Sequence, residues 1–354
     1  MSSEMKRATL LSPQHSWLQH FPSSLIWPAA AFILLLLMNA VMNPSFFSFT
    51  LRNGQLFGSL VDIAFRSSPL ILSAFGLTLI IATAGIDLSV GSIAALSAAA
   101  ATTALASGAG VFGAVAAALA AGAFVGICNA ALVTLLGLQP IIATLISMVT
   151  ARGVAQLLLG GQIVPITNEA FAWIGTGALF GLPFAVWFTM AVTLFLGVGL
   201  RRTSAALFIE AVGSNALAAR FIGLSTSKIR ATVYVLTGVL AAFAGLIMST
   251  NIHAVDGNNL GLYLELDAIL AVVIGGTRLT GGRFSILGTV LGALIIQTVT
   301  TTINTQGVRV EFMLMVKAAV VITICLAQSD RARLRRKPES SVPALPETRL
   351  NGVN

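Results

Sequence analysis

Long apolar runs interrupted by short polar breaks set the pattern of this chain. The first run covers 25–42. Others follow at about 69–84, 93–107, 111–137, 140–159, 183–200, 231–251, 264–276, 284–303 and 312–328. About 20 mostly apolar residues cross a bilayer as a helix, so the pattern predicts an all-α, polytopic membrane protein of about ten transmembrane helices. Two runs fall short of a full span, which requires some helices to be broken, re-entrant or shielded by neighbours.

The most informative interruption is Ala84-Gly85-Ile86-Asp87-Leu88-Ser89-Val90-Gly91, a polar, glycine-bounded break between two runs almost free of charge. A carboxylate there is costly in a bilayer unless it serves a cavity, caps a helix or finds a partner. Gly275-Gly276-Thr277-Arg278-Leu279-Thr280-Gly281-Gly282-Arg283 repeats the layout of apolar run, glycine-rich break and small-residue run. Interrupted segments in corresponding halves point to a substrate path in transporters. Gly85, Asp87, Ser89, Gly91, Gly275, Gly276, Gly281 and Gly282 are therefore the candidate hinge and gating residues. Gly122-x-x-x-Gly126 and Gly288-x-x-x-Gly292 read first as packing motifs. Segment 43–66 mixes Phe46, Phe47, Phe49, Leu51, Leu56 and Phe57 with Arg52, Asn53, Asp62 and Arg66. An interfacial amphipathic element and a plain outer loop both fit it.

Composition fixes the class. Of 354 residues, 56% are hydrophobic and only 9% charged, against about 25% charged in a soluble domain. The net charge of +8 resides in juxtamembrane clusters at Lys6-Arg7, Arg201-Arg202 through Arg230, and Arg331 to Lys337. These orient the chain and attract membrane lipid, and are not a nucleic-acid surface. With the N-terminus in the cytoplasm, the loop after the sixth run, the tail, and Arg278 with Arg283 all fall inside. The loops 108–110, 160–182 and 252–263 fall outside with no Lys or Arg, while Arg52 and Arg66 are the exception. Both termini are then cytoplasmic. The expected organisation is a cytoplasmic N-terminal segment at 1–24, a transmembrane domain at 25–328 and a basic tail at 329–354 whose composition predicts disorder. The first run is too long for a signal-peptide core and lacks a cleavage site, so it reads as an uncleaved span.

Absent chemistry narrows function. No phosphate-binding P-loop, nucleophile elbow, metal-ligand pair or acid–base carboxylate dyad occurs, so no cofactor or catalytic residue is expected. Cys128 and Cys325 lie in apolar runs, and the three histidines have no ligand-spaced neighbour. Gly108-x-Gly110-x-x-Gly113 matches a dinucleotide fingerprint formally, but it joins two Ala-rich membrane runs and reads as a turn.

Polar residues within or beside the runs are candidate path-lining groups: Asn129, Gln139, Thr144, Arg152, Gln156, Glu265, Asp267 and Gln297. Helix–helix hydrogen bonding is the competing role for the uncharged ones and Arg152. Asp87 serves equally as a cap for a helix starting near Ser89. Glu265 and Asp267 sit where acidic side chains favour a helix N-terminus. Lys317 either snorkels or pairs with Glu311.

Between the sixth and seventh runs, Phe208-Ile209-Glu210-Ala211-Val212-Gly213-Ser214-Asn215-Ala216-Leu217-Ala218-Ala219-Arg220-Phe221-Ile222-Gly223-Leu224 predicts a short helix over 215–221 ending at Gly223. It is either a docking knob, with Glu210 and Arg220 setting the register, or an ordinary interfacial helix. The loop at about 201–230 resembles the ATPase-coupling segment of the membrane subunits of ABC sugar importers of the ribose and galactose type. That resemblance assigns Glu210, Ala211, Gly213, Asn215, Ala218, Ala219, Arg220 and Gly223 to contact with the ATPase. Thr83 to Ser92 resembles the family's Thr-Gly-Gly-Ile-Asp-Leu-Ser-Val-Gly, with Ala84 in place of the first glycine. Leu264 to Gly282 resembles its Glu-Leu-Asp-Ala-Ile…Gly-Gly…Gly-Gly segment. Asn53 to Ile63, with Gly153-Val154-Ala155-Gln156 and Gly161-Gln162-Ile163-Val164, looks most like the galactofuranose importer permeases.

The resemblance implies a permease in the bacterial inner membrane with three partners: an ABC ATPase subunit, a second permease subunit and a periplasmic sugar-binding protein. The cargo would be a monosaccharide, and the second subunit either identical or a sister chain. A stand-alone secondary transporter or channel would need ion-coupling carboxylates within its spans, for which Asp87 is the one good candidate. A structural scaffold leaves the glycine breaks unexplained.

Overall fold

Helix α2 (Ser59–Ala82) runs through the centre of the molecule, every residue from Ser67 to Thr83 being buried. A helix apolar on all faces can be satisfied only by surrounding it with others. Here α10 (Thr226–Ile252), α11 (Leu264–Ile274) and α12 (Ile286–Thr305) do so, and α3 (Val90–Ala106) packs in turn against α10 and α11. The computed structural model describes residues 25–52, 54–307, 309, 312, 315–319 and 322–323.

Outside this core lie α1 (Ile26–Met42), α4 (Gly110–Thr134), α5 (Pro140–Leu158) and α7 (Phe184–Arg202), which carry large exposed apolar side chains such as Leu34, Phe124, Val149 and Phe195. Among the described residues six helices, α2, α4, α5, α7, α10 and α12, are long and apolar enough to cross a membrane. Helices α1 and α3, of 17 residues each, are slightly shorter. Helix α11 has 11 residues, about 16 Å, or half a bilayer core. The run at 312–328 lies largely outside the described residues, as do the segments 1–24 and 329–354.

Small residues set the helix contacts. A side chain at Gly122 would meet the backbone of Gly238, and one at Gly126 would meet Tyr234 and Val235, so α4 and α10 touch backbone to backbone. Gly288 and Gly292 bring α12 equally close to Gly275, the C-cap of α11, and to Ala271 within it. Both motifs lie at helix contacts, where close approach maximises dispersion in the absence of a hydrophobic drive. Polar cross-links add to this: Thr78 Oγ1 and Thr289 Oγ1 lie 2.7 Å apart between α2 and α12, and Thr302 Oγ1 donates to Asn39 Oδ1 at 2.8 Å.

The connections depart from a purely helical reading. Segment 43–66 is more than a plain loop. It forms a hairpin of β1 (Thr50–Arg52) and β2 (Gln55–Phe57) followed by the first turns of α2. Gly54, at φ +75°, supplies the left-handed turn. Asp62 and Arg66 are thus helical neighbours and pair at 2.8 Å on the exposed face. Loop 160–182 holds β3 (Val164–Pro165), helix α6 (Glu169–Thr176) and strand β4 (Ala178–Leu179). Strand β4 pairs with β5 (Leu182–Pro183), while β3 pairs with β6 (Ala254–Val255) after α10. Helix α6 starts because Asn168 Oδ1 accepts from Phe171 N–H at 2.9 Å.

Candidate functional site

Both glycine-rich breaks begin with the same chain reversal. At the end of α2, Ala84 N–H donates to Ile81 C=O and Gly85 N–H to Ile80 C=O. At the end of α11, Gly276 N–H donates to Val273 C=O and Thr277 N–H to Val272 C=O. This reversal needs a left-handed residue directly after the cap. Gly276 supplies it at φ +88° and Ala84 at φ 61°. The alanine noted above in place of a glycine therefore sits at a position where glycine is conformationally free.

The two breaks then meet. Gly282 N–H donates to Ala82 C=O at 2.9 Å, joining the 275–283 break to the end of α2. A third element closes on the same carbonyl. Helix α8 (Ala205–Ser214) places Gly213 so near that an added Cβ would collide with Ala82 O and lie 2.7 Å from Gly282 N. Gly281 packs against Ala84 and the Gly213 carbonyl. Three expected site residues from two separate segments, Gly213 on one and Gly281 with Gly282 on the other, thus converge on the end of α2.

The first break then reaches the start of α11. From Ala84 the non-helical stretch 85–89 leads to α3, whose first turn carries Gly91. Five residues reach at most about 17 Å, which matches the length of α11. Gly91 packs tightly on Gly261 and Glu265, at the start of α11. The discontinuous helices α3 and α11 therefore begin side by side.

A buried hydrogen-bond chain orders the α3 start. Asp87 Oδ1 accepts from Ser89 N–H at 2.7 Å and from Ser89 Oγ at 2.6 Å. Ser89 Oγ in turn accepts from Asn129 Nδ2 of α4 at 2.8 Å. Thr144 Oγ1 of α5 accepts from Leu88 N–H at 3.2 Å. Asp87 thus turns the chain ahead of the helix, and Ser89 occupies the cap position without a side-chain cap bond.

The remaining expected path residues separate by environment. Asn129 and Thr144 are fully buried and tie α4 and α5 to the 85–89 stretch. Arg152 is tied to a loop, its Nη1 donating to the carbonyls of Leu260 at 2.6 Å and of Gly257 and Asn258 at 3.3 Å. Gln139 is the exposed N-cap of α5, ahead of Pro140. Gln156 faces a shallow cavity of about 450 Å³ with Gly153, Leu157, Gly160 and Gly161. Gln297 faces one of about 270 Å³ with Asn251, Thr300 and Asn304. Lys317 corrects the sequence expectation: its Nζ donates to Asp267 Oδ2 at 2.8 Å, with only 10% and 23% of the two side chains exposed. Glu311 lies outside the described residues. The pairing across 50 positions has no local sequence signal.

The coupling segment forms two short helices where one was expected. Helix α9 (Ala216–Phe221) starts at Asn215, whose Oδ1 accepts from Ala218 N–H at 2.9 Å, and ends at Gly223, φ +88°. These bounds match the expected ones to within a residue. The preceding α8 was missed, although the spacing of Ile209, Val212 and Gly213, its buried face, carries helical periodicity. Arg220 Nε is directed to Thr226 Oγ1 at 2.9 Å, tying α9 to the start of α10. Leu217, Phe221 and Ile222 stand 64%, 83% and 74% exposed. They form an exposed apolar group on and just after α9, and Arg201, Arg202 and Lys228 are exposed in the flanking segments. Tyr234, buried against Gly85, was also missed. The clue was its hydroxyl, which in an apolar run demands a polar neighbour.

A family described as the permease component of the branched-chain amino acid transport system matches residues 59–325. The galactofuranose transporter permease protein of Escherichia coli (strain K12) is 44% identical over 310 residues, covering 86% of this chain and 91% of that protein. The fructose import permease protein of Bifidobacterium longum (strain NCC 2705) is 40% identical over 326 residues, covering 89% and 92%. The ribose import permease protein of Escherichia coli (strain K12) is 37% identical over 305 residues, covering 85% and 92%. No solved structure matches the chain.

Proposed function

We propose, because this chain belongs to the family of branched-chain amino acid transport system permease components, that it is the membrane subunit of an ATP-driven importer for a monosaccharide. The cargo class follows the relatives, which are named for galactofuranose, fructose and ribose. The galactofuranose permease has the greatest identity of these three, and favours a furanose or hexose substrate.

The chain makes ten passes with both termini in the cytoplasm of a bacterial inner membrane. It works with a second permease subunit, an ATPase subunit and a periplasmic sugar-binding protein. The ATPase docks on α8 and α9 through the exposed apolar group of Leu217, Phe221 and Ile222, with Glu210 at its margin. The chain contributes no ATP chemistry, only two packings of the same helices biased by its partners.

One observation carries this reading: Gly213 of α8 rests on Ala82 and Gly282, where both chain breaks meet. A displacement of α8 is transmitted without slack, because backbone touches backbone. From there the half-length elements 85–89 and α11 carry it to Gly91 and Glu265. Neutral sugars preselected by a carrier need no tight charged site, consistent with the inward-tied Asp87 and Arg152. Glu210→Arg and Gly213→Trp test the assignment. Each should abolish ATP-dependent sugar uptake, and Glu210→Arg should also weaken co-purification of the ATPase subunit. Uptake retained in both variants overturns it.

A further inference from the structure

The start of α3 holds three buried side chains from three elements: Asp87 in the break, Asn129 on α4 and Tyr234 on α10, at 0%, 0% and 2% exposure. Each retains one polar atom, Asp87 Oδ2, Asn129 Oδ1 and Tyr234 Oη, with no hydrogen-bond partner among the described residues. The three are neighbours. Asp87 and Asn129 bind the same Ser89 hydroxyl through their other atoms. Tyr234 Oη lies 3.2 Å from the place of a Cβ on Gly85, two residues before Asp87. Protein interiors do not leave such groups unmatched, because each forfeits its hydration.

The unmatched set has a definite chemistry of two acceptor oxygens and one hydroxyl that can donate. We propose that a single buried water molecule binds here, donating its two protons to Asp87 Oδ2 and Asn129 Oδ1 and accepting the phenolic proton of Tyr234. Three hydrogen bonds is the usual complement of a buried water. Oxygen ligands alone would also suit a small monovalent cation. The α3 N-terminus, however, directs its positive end into this region and favours a neutral occupant. The water joins the break to α4 and α10 close to the Ala82–Gly213 contact. It is a lock on the hinge, which must be released or rebuilt when the break moves.

The test uses the full chain purified with its partner subunits. A structure at a resolution that shows ordered solvent should have a peak within hydrogen-bond distance of all three oxygens, and its absence overturns the proposal. Tyr234→Phe removes one hydroxyl without altering shape. It should lower the melting temperature by about 2 °C or more and remove the peak. An unchanged or raised melting temperature overturns the lock, because deleting an unpartnered buried hydroxyl is neutral or favourable. Wild-type protein should melt at the same temperature in sodium chloride and choline chloride. Stabilisation by sodium alone replaces the water with a cation and overturns the assignment.

Discussion

Replacing Gly213 by alanine adds a single methyl group, and its effect is decided by opposing terms. The methyl collides with Ala82 O and lies 2.7 Å from Gly282 N and 2.8 Å from Ala82 C, all backbone atoms with no rotamer to relieve them. Overpacking of this kind costs about 1–3 kcal/mol. Forcing Ala82 away strains the Gly282 N–H bond to its carbonyl, worth about 1 kcal/mol. Against this, alanine in place of glycine favours a helix by up to about 1 kcal/mol. The net is a loss of about 1–3 kcal/mol. Gly197→Ala in α7 is the internal control, because a Cβ there has no atom within 4 Å. Only the helix-propensity gain operates, so that variant should be unchanged or more stable. Unfolding midpoints in detergent, measured side by side, separate the two. Equal midpoints for Gly213→Ala and Gly197→Ala would refute the backbone contact between α8 and the breaks.

Other consequences are equally direct. Lys317→Met leaves Asp267 as an unpaired, largely buried charge and should destabilise the protein toward the lower end of about 3–5 kcal/mol. The double change Lys317→Met with Asp267→Leu should recover most of the midpoint, and failure to recover would count against the pair. Ala84→Gly relieves a left-handed alanine and should stabilise by about 1 kcal/mol, as read from the midpoint; a fall would show that the reversal does not need that conformation. Asp256, in the loop after α10, is held below the ordinary carboxylate range mainly by the Asn259 side-chain amide, with the Asn258 and Asn259 N–H groups and Arg152 contributing. Its folded pKa is depressed, so its stabilisation is complete above the ordinary value and is lost as pH falls through the lowered one. Hydrogen exchange at Asn258 and Asn259, corrected for intrinsic rates, should speed up over about pH 4 to pH 2 in wild type and show no such step in Asp256→Asn.

Elements governed by local chemistry were legible in the sequence. The membrane helices follow from apolar run length, and α9 from Asn215 and Gly223, one accepting a backbone N–H and the other supplying a left-handed turn. The two glycine breaks stood out because polar residues and glycines are costly within a membrane helix unless neighbours satisfy the freed backbone. What local pattern could not reveal was which segments touch. Gly213 reads as one more small residue until the chain closes and its lack of a side chain is what admits Ala82. Lys317 finds Asp267, and Arg152 finds the carbonyls of 257–260, through packing of helices distant in sequence. Asn129 and Thr144 carry the same donors and acceptors whether they line a path or join helices, and only burial distinguishes the roles. The hairpin at 50–57 was obscured by mixed aromatic and charged residues, which suit an interfacial amphipathic element or an outer loop as well as short strands.

The central claim is that this membrane subunit moves its cargo only when an ATPase acts on α8 and α9. Reconstitution in liposomes measures it directly, with radiolabelled sugar, the binding protein and ATP supplied with and without the ATPase subunit. The account predicts ATP-dependent accumulation with the complete set and none when the ATPase is omitted or when Gly213→Trp is used. Full-rate sugar entry through this chain in the absence of any ATPase would contradict it.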